Sequence, residues 1–260
     1  MINLRKYGKK PYAAAVLHGG PGAPGGVAPV ARELSAVCGI LEPMQTSATL
    51  EGQLRELRDL LEEHGELPLT LIGHSWGAML GFIFTAQNPR FVKKLILVGS
   101  GLFNEKYVPK LSETRLSRLN EEEKLQARNL REALNTPGLE GKSELLARFG
   151  KLMLKADSFD PLPQDSEVIE FQYHVFANVW KEARELRKSG KLLELGKQIH
   201  CPTVAIHGDY NPHPAAGITE PLSQVVKNFR FIPLAKCGHY PWMERAARES
   251  FFQLLKEELR

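Results

Sequence analysis

The sequence predicts an α/β fold, with a mostly parallel sheet of about six strands flanked by helices and a helical segment inserted into its second half. Three observations carry this. From Tyr12 onward, short apolar runs alternate with longer amphipathic stretches, the pattern of βαβ units. That rhythm stops after Gly99-Ser100-Gly101, and helical spacing alone runs from about Leu102 to Gly196 before the alternation resumes. Finally, a Gly-x-Ser-x-Gly sequence, Gly73 to Gly77, stands where a predicted strand meets a predicted helix.

In chain order, Ala13 to Leu17 reads as a buried strand, Pro29 to Val37 as a helix, Gly39 to Leu41 as a short strand and Leu50 to His64 as a helix. Leu69 to Ile72 is a strand that feeds the helix Trp76 to Gln87. Asn88-Pro89 ends that helix, because proline disfavours helical geometry in the residue before it. Lys94 to Val98 is the next strand. In the inserted segment, Leu145, Leu146, Phe149, Leu152 and Met153 recur at helical spacing, and Ile169, Tyr173, Phe176 and Trp180 form a second stripe. Asn120 before three glutamates reads as an N-cap, with acids at the positive end of the helix dipole. The sheet resumes with a strand Thr203 to Ile206, a helix around Pro221 to Val226, a strand Phe229 to Ile232 and a closing helix Glu244 to Leu259. The domain organisation is thus a core of residues 1–101 and 197–260, interrupted by a helical cap, residues 102–196.

The 260 residues, 43% hydrophobic and 25% charged, are enough to bury a sizeable core. The net charge of +4 is scattered along the chain, which argues against nucleic acid or a membrane surface as a partner. Three cysteines, Cys38, Cys201 and Cys237, without a Cys-x-x-Cys pair, argue against a disulfide framework or a zinc site and fit a reducing cytoplasm. Arg5, Lys6, Lys9 and Lys10 are followed by no apolar stretch before Pro11, and no run of about 18 apolar residues occurs, so neither a signal peptide nor a membrane span is expected.

The chemistry lies in the loops. "GHSWG" between strand and helix is a nucleophile elbow: the turn is tight enough to strain the serine backbone, small flanking residues let strand and helix approach, and Ser75 projects its hydroxyl from the end of the sheet. "HGGPG", His18 to Gly22, closes the first strand, and there the amide of Gly20 can join that of Trp76 as an oxyanion hole. A phosphate-binding loop is the rival reading, but the Gly-Lys-Ser/Thr ending is missing and Pro21 removes a donor. His18 reads as a buttress. In "KCGHYPW", His239 follows the last strand and is placed as a general base, whereas His64, His174, His200 and His213 read as structural. "HGDYNPHP", His207 to Pro214, offers Asp209 or the uncharged Asn211 as the partner of that base.

Together "HGGPG", "GHSWG", "HGDYNPHP" and "GHYPW" resemble the α/β-hydrolase superfamily over nearly the whole chain, and the first two resemble its proline-iminopeptidase-like branch. The resemblance implies an α/β-hydrolase fold, attack by Ser75 on a carbonyl, proton relay by His239, and oxyanion stabilisation by the amides of Gly20 and Trp76. Two departures stand out. Only about ten residues precede the first strand, so the antiparallel hairpin usual in the family is expected to be missing from that edge of the sheet. The usual acid position maps onto Asn211, leaving three readings: Asn211 occupies the acid site of a slowed or inactive enzyme, Asp209 reaches His239 instead, or an acid comes from elsewhere, although the loop after Val98 has no carboxylate before Glu105.

The expected function is a serine hydrolase acting through an acyl-enzyme on a small ester, amide or short peptide, with no metal or organic cofactor. An aminopeptidase is the alternative; it needs cap carboxylates, for which Glu132, Glu144, Asp157, Glu167 and Glu170 are candidates. A dehalogenase is disfavoured by serine at the elbow, and Asn211 makes a non-catalytic binding protein a third reading. Tyr173, Phe176 and Trp180 pack the cap and can line the pocket at one edge, the indole of Trp76 is expected in the pocket wall, and Cys237 is expected to be a buried inert thiol. No motif fixes an oligomeric state.

Overall fold

A computed structural model describes residues 3–163 and 167–260; residues 1, 2 and 164–166, the last three inside the expected insertion, lie outside the described residues. Its centre is a seven-stranded sheet, β1 (Leu4–Tyr7), β2 (Tyr12–Leu17), β3 (Gly39–Pro43), β4 (Leu69–His74), β5 (Val92–Val98), β6 (Thr203–Gly208) and β7 (Phe229–Leu234), in the spatial order β1-β3-β2-β4-β5-β6-β7. Every neighbouring pair is parallel except β1 with β3, which runs antiparallel from Leu4↔Pro43 to Tyr7↔Ile40. β1 is the strand beyond the six expected. No hairpin links it to β2, because β3 lies between them.

The central strands show why the sequence alternates as it does. Ala15, Leu17, Leu71, Leu95, Leu97 and Ala205 face one apolar layer, while Ala14, Val16, Ile72, Ile96, Val98, Val204 and Ile206 face the other. The first layer is covered by helices α2 (Leu50–His64) and α3 (Trp76–Gln87), the second by α1 (Ala28–Leu34) and α10 (Arg248–Glu258). α3 is buried along its length, from Trp76 to Ala86, which is why it reads as apolar all round.

Between β5 and β6 the chain forms α4 (Val108–Ser117), α5 (Glu121–Asn135), α6 (Lys142–Asp157), α7 (Tyr173–Lys188) and α8 (Lys191–Glu194). Asn120 caps α5 as its sequence predicts: its side chain accepts from Glu123 N–H at 2.9 Å, and the Glu123 carboxylate accepts from Asn120 N–H at 3.1 Å. α5 and α6 meet over a small cluster of their own, around Ala127, Leu152 and Ala156. α7 instead joins the main core through Val175, Val179 and Ala183, each at most 1% exposed. The aromatic stripe Tyr173, Phe176 and Trp180 therefore lies beside the buried face of α7, and Ile169 precedes the helix and is half exposed. α9 (Ala216–Val225) completes the elements. Cys38, Cys201 and Cys237 are unpaired, and no helix of the described residues is long and apolar enough to cross a membrane.

Candidate active site

Ser75 sits between β4 and α3 with φ 53° and ψ −109°, a backbone conformation that costs a non-glycine residue about 1–3 kcal/mol. The surroundings hold it there. Ser75 N–H donates to Val98 O at 3.0 Å, and a Cβ on Gly73 would lie 2.2 Å from Gly77 O, one on Gly77 2.4 Å from Leu17 O. Both elbow glycines are thus demanded by backbone contact. A Cβ on Gly19 would lie 2.6 Å from His74 Nδ1 and 3.2 Å from Ser75 Cβ, so the "HGGPG" loop runs directly against the elbow.

That loop is fixed by His18. Its Nδ1–H donates to Gly19 O at 3.1 Å and its Nε2 accepts from Gln45 N–H at 3.4 Å; with both ring nitrogens engaged and burial holding the pKa down at about 4, the ring is neutral. This is the buttress that the sequence predicts. The Trp76 amide opens α3 and has no carbonyl upstream in its helix, and among the described residues neither it nor the Gly20 amide donates to a protein acceptor. The Trp76 indole does not line a pocket wall as expected: it is 1% exposed in the main core, where its N–H finds Gln53 Oε1 at 3.1 Å.

His239 is brought to the same end of the sheet by the residue before the serine. His74 Nε2–H donates to His239 O at 3.0 Å, and the two rings are 4.8 Å apart. Asn211, in the loop after β6, settles which side chain meets the imidazole: its Oδ1 lies 3.2 Å from His239 Nδ1. Asp209 is exposed and turns the other way, accepting from Cys237 N–H at 3.1 Å. Glu105 pairs with Arg187 at 2.7 Å and takes no part.

His213, which reads as structural, belongs to the same group. Its ring stacks on His239 at 4.7 Å and 19°, and its backbone N–H and Nδ1 approach the same Asn211 Oδ1 at 3.1 and 3.0 Å. Because a backbone N–H can only donate, the carboxamide oxygen must face this group. Both imidazoles are then Nδ1–H tautomers, and Nε2 of His239 keeps its lone pair. Asn211 Nδ2 is buried without a partner among the described residues. His207 Nε2–H donates to His213 O at 2.8 Å and closes the cluster.

Burial, followed by the neighbouring His213, His74, Arg115 and His207, holds the His239 pKa well below its ordinary value, so the ring is a neutral base near pH 7. Among the described residues neither Ser75 Oγ nor His239 Nε2 makes a hydrogen bond. Cys237 is fully buried, its pKa pushed up to about 12 by burial and then by Glu244 and Asp209, as an inert thiol requires.

The aromatic stripe separates. Trp180 meets Trp76 edge-on at 5.9 Å, beside the elbow, and the backbone of Phe176 approaches Gly22, whereas Tyr173 donates its hydroxyl to Leu134 O at 2.5 Å, towards α5. Of the five candidate carboxylates, Asp157 is held bidentately by Arg115 at 2.6–2.7 Å, Glu167 pairs with Arg32, and Glu170 accepts from Gln172; Glu132 and Glu144 are exposed. The described residues contain no group of three or more His, Cys, Asp or Glu placed to hold a metal ion.

The model of the α/β hydrolase fold family matches residues 16–246. The chain belongs to this family. As an α/β hydrolase it is a hydrolase, and solved structures of the same fold cover almost all of it. VinJ is 18% identical, with 98% of this chain and 93% of VinJ covered at a TM-score of 0.68. Est816, described as an N-acyl homoserine lactone degrading enzyme, is 16% identical (98% and 95% covered, TM-score 0.66). E-2-(acetamidomethylene)succinate hydrolase is also 16% identical (98% and 93% covered, TM-score 0.64). No curated protein matches the α/β hydrolase by sequence.

Proposed function

We propose that this α/β hydrolase is a cofactor-independent serine hydrolase that cleaves a small ester through an acyl-enzyme, with helices α4 to α8 as the cap over its pocket. His239 Nε2 takes the proton of Ser75 as Oγ attacks the substrate carbonyl, and the amides of Gly20 and Trp76 receive the negative charge on the carbonyl oxygen. Collapse of the tetrahedral species expels the alcohol, which takes the proton from His239. Water then repeats the sequence on the acyl-serine and releases the acid.

The observation that carries this reading is the Asn211 contact, which keeps the His239 lone pair at Nε2 while His74 holds the same residue next to the elbow. An amide oxygen orients the imidazole but adds no charge to stabilise the imidazolium. The same exchange of acid for amide in a serine protease costs about 10⁴ in turnover, so slow catalysis is expected. Esters are favoured over the amino-terminal peptides of a proline-iminopeptidase-like enzyme, because the buried cap carboxylate Asp157 is already neutralised by Arg115. The three unpaired cysteines support a cytoplasmic location.

Hydrolysis of p-nitrophenyl acetate tests the reading. A burst of one p-nitrophenol per chain followed by slow turnover, lost in Ser75→Ala, is expected. Turnover unaffected in Ser75→Ala contradicts the serine mechanism, and a folded protein with neither burst nor turnover points to a binding role for the pocket.

A further inference from the structure

Glu244 lies five residues after His239 and is fully buried, yet the mechanism above does not use it. Its carboxylate accepts three backbone N–H groups: Gly238 at 2.9 Å and Phe159 at 2.8 Å on Oε1, and Asp160 at 2.8 Å on Oε2. Gly238 precedes the base directly, while Phe159 and Asp160 follow the end of α6. The carboxylate therefore joins two segments about 80 residues apart in the chain, a role three charge-assisted bonds can sustain in a buried site.

Around it the two segments are laced together. His239 N–H donates to Asp157 O at 2.8 Å, Leu162 N–H to Met243 O at 2.7 Å and Arg245 N–H to Asp160 O at 3.0 Å. Approach this close requires glycine at 238, where a Cβ would sit 2.2 Å from Asp157 O. At its α6 end the strap is anchored a second time, by the bidentate Arg115–Asp157 pair. The backbone of His239 is thus held by His74 from the sheet side and by residues 157–162 from the insertion side.

We propose that Glu244 is a positioning residue for His239, its carboxylate fastening residues 157–162 across residues 238–245 so that the imidazole is set for proton transfer only while the helical insertion is docked. The proposal rests on the assignment of His239 as the base. In Glu244→Gln, one N–H donor faces an amide NH₂ in place of an oxygen, and the charge is lost from all three bonds. A base displaced by about 1 Å can lose 10²-fold in rate, so kcat for p-nitrophenyl acetate is expected to fall about 10- to 100-fold per folded molecule, with KM within about twofold of the wild type. Leu162→Pro removes the donor to Met243 at the far end of the strap while leaving the three bonds to Glu244 in place, and should lower kcat less, in the same direction. Long-range ¹H–¹⁵N NMR of the histidine rings needs no turnover: His239 should be a single Nδ1–H tautomer in the wild type and a mixture in Glu244→Gln.

A wild-type kcat and an unchanged His239 tautomer in folded Glu244→Gln overturn the proposal, as does a loss that only tracks the unfolded fraction. If Glu244→Gln does not fold, an unaltered kcat and tautomer in Leu162→Pro overturn it equally. Activity that survives His239→Ala, by contrast, removes the assignment on which the proposal rests, and that result is independent of residue 244.

Discussion

Asn211 presents its carboxamide oxygen to His239 Nδ1 at 3.2 Å, while Asp209, two residues earlier, turns its carboxylate to Cys237 N–H. The uncharged side chain holds the position from which an acid acts, and the charged one serves the backbone of the neighbouring loop. Asn211→Asp should therefore raise p-nitrophenyl acetate turnover by about 10²- to 10⁴-fold, since a carboxylate there accepts the same Nδ1–H and stabilises the imidazolium. Turnover unchanged or lowered in folded Asn211→Asp would separate the amide contact from catalysis.

Asp209→Asn retains an oxygen acceptor for Cys237 N–H. Turnover within about threefold of the wild type, and a melting temperature lowered by no more than a few degrees, are the expected results. Abolished activity in this variant would move the supporting role from Asn211 to Asp209.

The acid limb of the rate profile follows from His239. Because burial, followed by the neighbouring His213, His74, Arg115 and His207, holds its pKa well below the ordinary value, the base form persists under acid, and the limb should fall below pH 6.5. A carboxylate at 211 favours the imidazolium and raises that pKa, so Asn211→Asp should shift the limb to higher pH. A limb at the same pH in both proteins would show that residue 211 does not face the titrating group.

Stability should also depend on His18, His74 and His207, whose pKa values burial pushes down to about 4. Between about pH 4 and 6.5 the unfolded chain binds these protons and the folded one does not, so stability is present above 6.5 and is lost as the pH falls towards 4. Glu42 works in the opposite direction: burial raises its pKa to about 7, so its contribution weakens as pH rises from 4.5. Three histidines outweigh one carboxylate, and the melting temperature should drop by about 5 °C or more from pH 7 to pH 5. A flat melting curve across that range would contradict the buried, neutral state of these rings.

Much of this arrangement is legible in the sequence, because it rests on local signals. α2 and α3 span the residues that periodicity predicts, and the elbow serine, the "HGGPG" loop and His239 are announced by glycine at positions where a Cβ would strike backbone. What local pattern misses is made by long-range pairing. β1 is four residues of LRKY without strict apolar alternation, and it is a strand because β3 offers it an edge. Glu244 reads as the first residue of the closing helix, yet that helix begins at Arg248 and the carboxylate turns inward to meet Phe159 and Asp160. His213 carries no signal except its spacing two residues from Asn211, and the indole of Trp76 is drawn into the core by Gln53, a partner 23 residues away.

The central claim, that His239 activates Ser75, is tested most directly by labelling the folded protein with a fluorophosphonate and mapping the modified peptide. A single adduct on Ser75, absent in Ser75→Ala and formed at least about 100-fold more slowly in His239→Ala, is the predicted result. A folded wild type that leaves Ser75 unmodified, or a His239→Ala variant labelled at the wild-type rate, would contradict it.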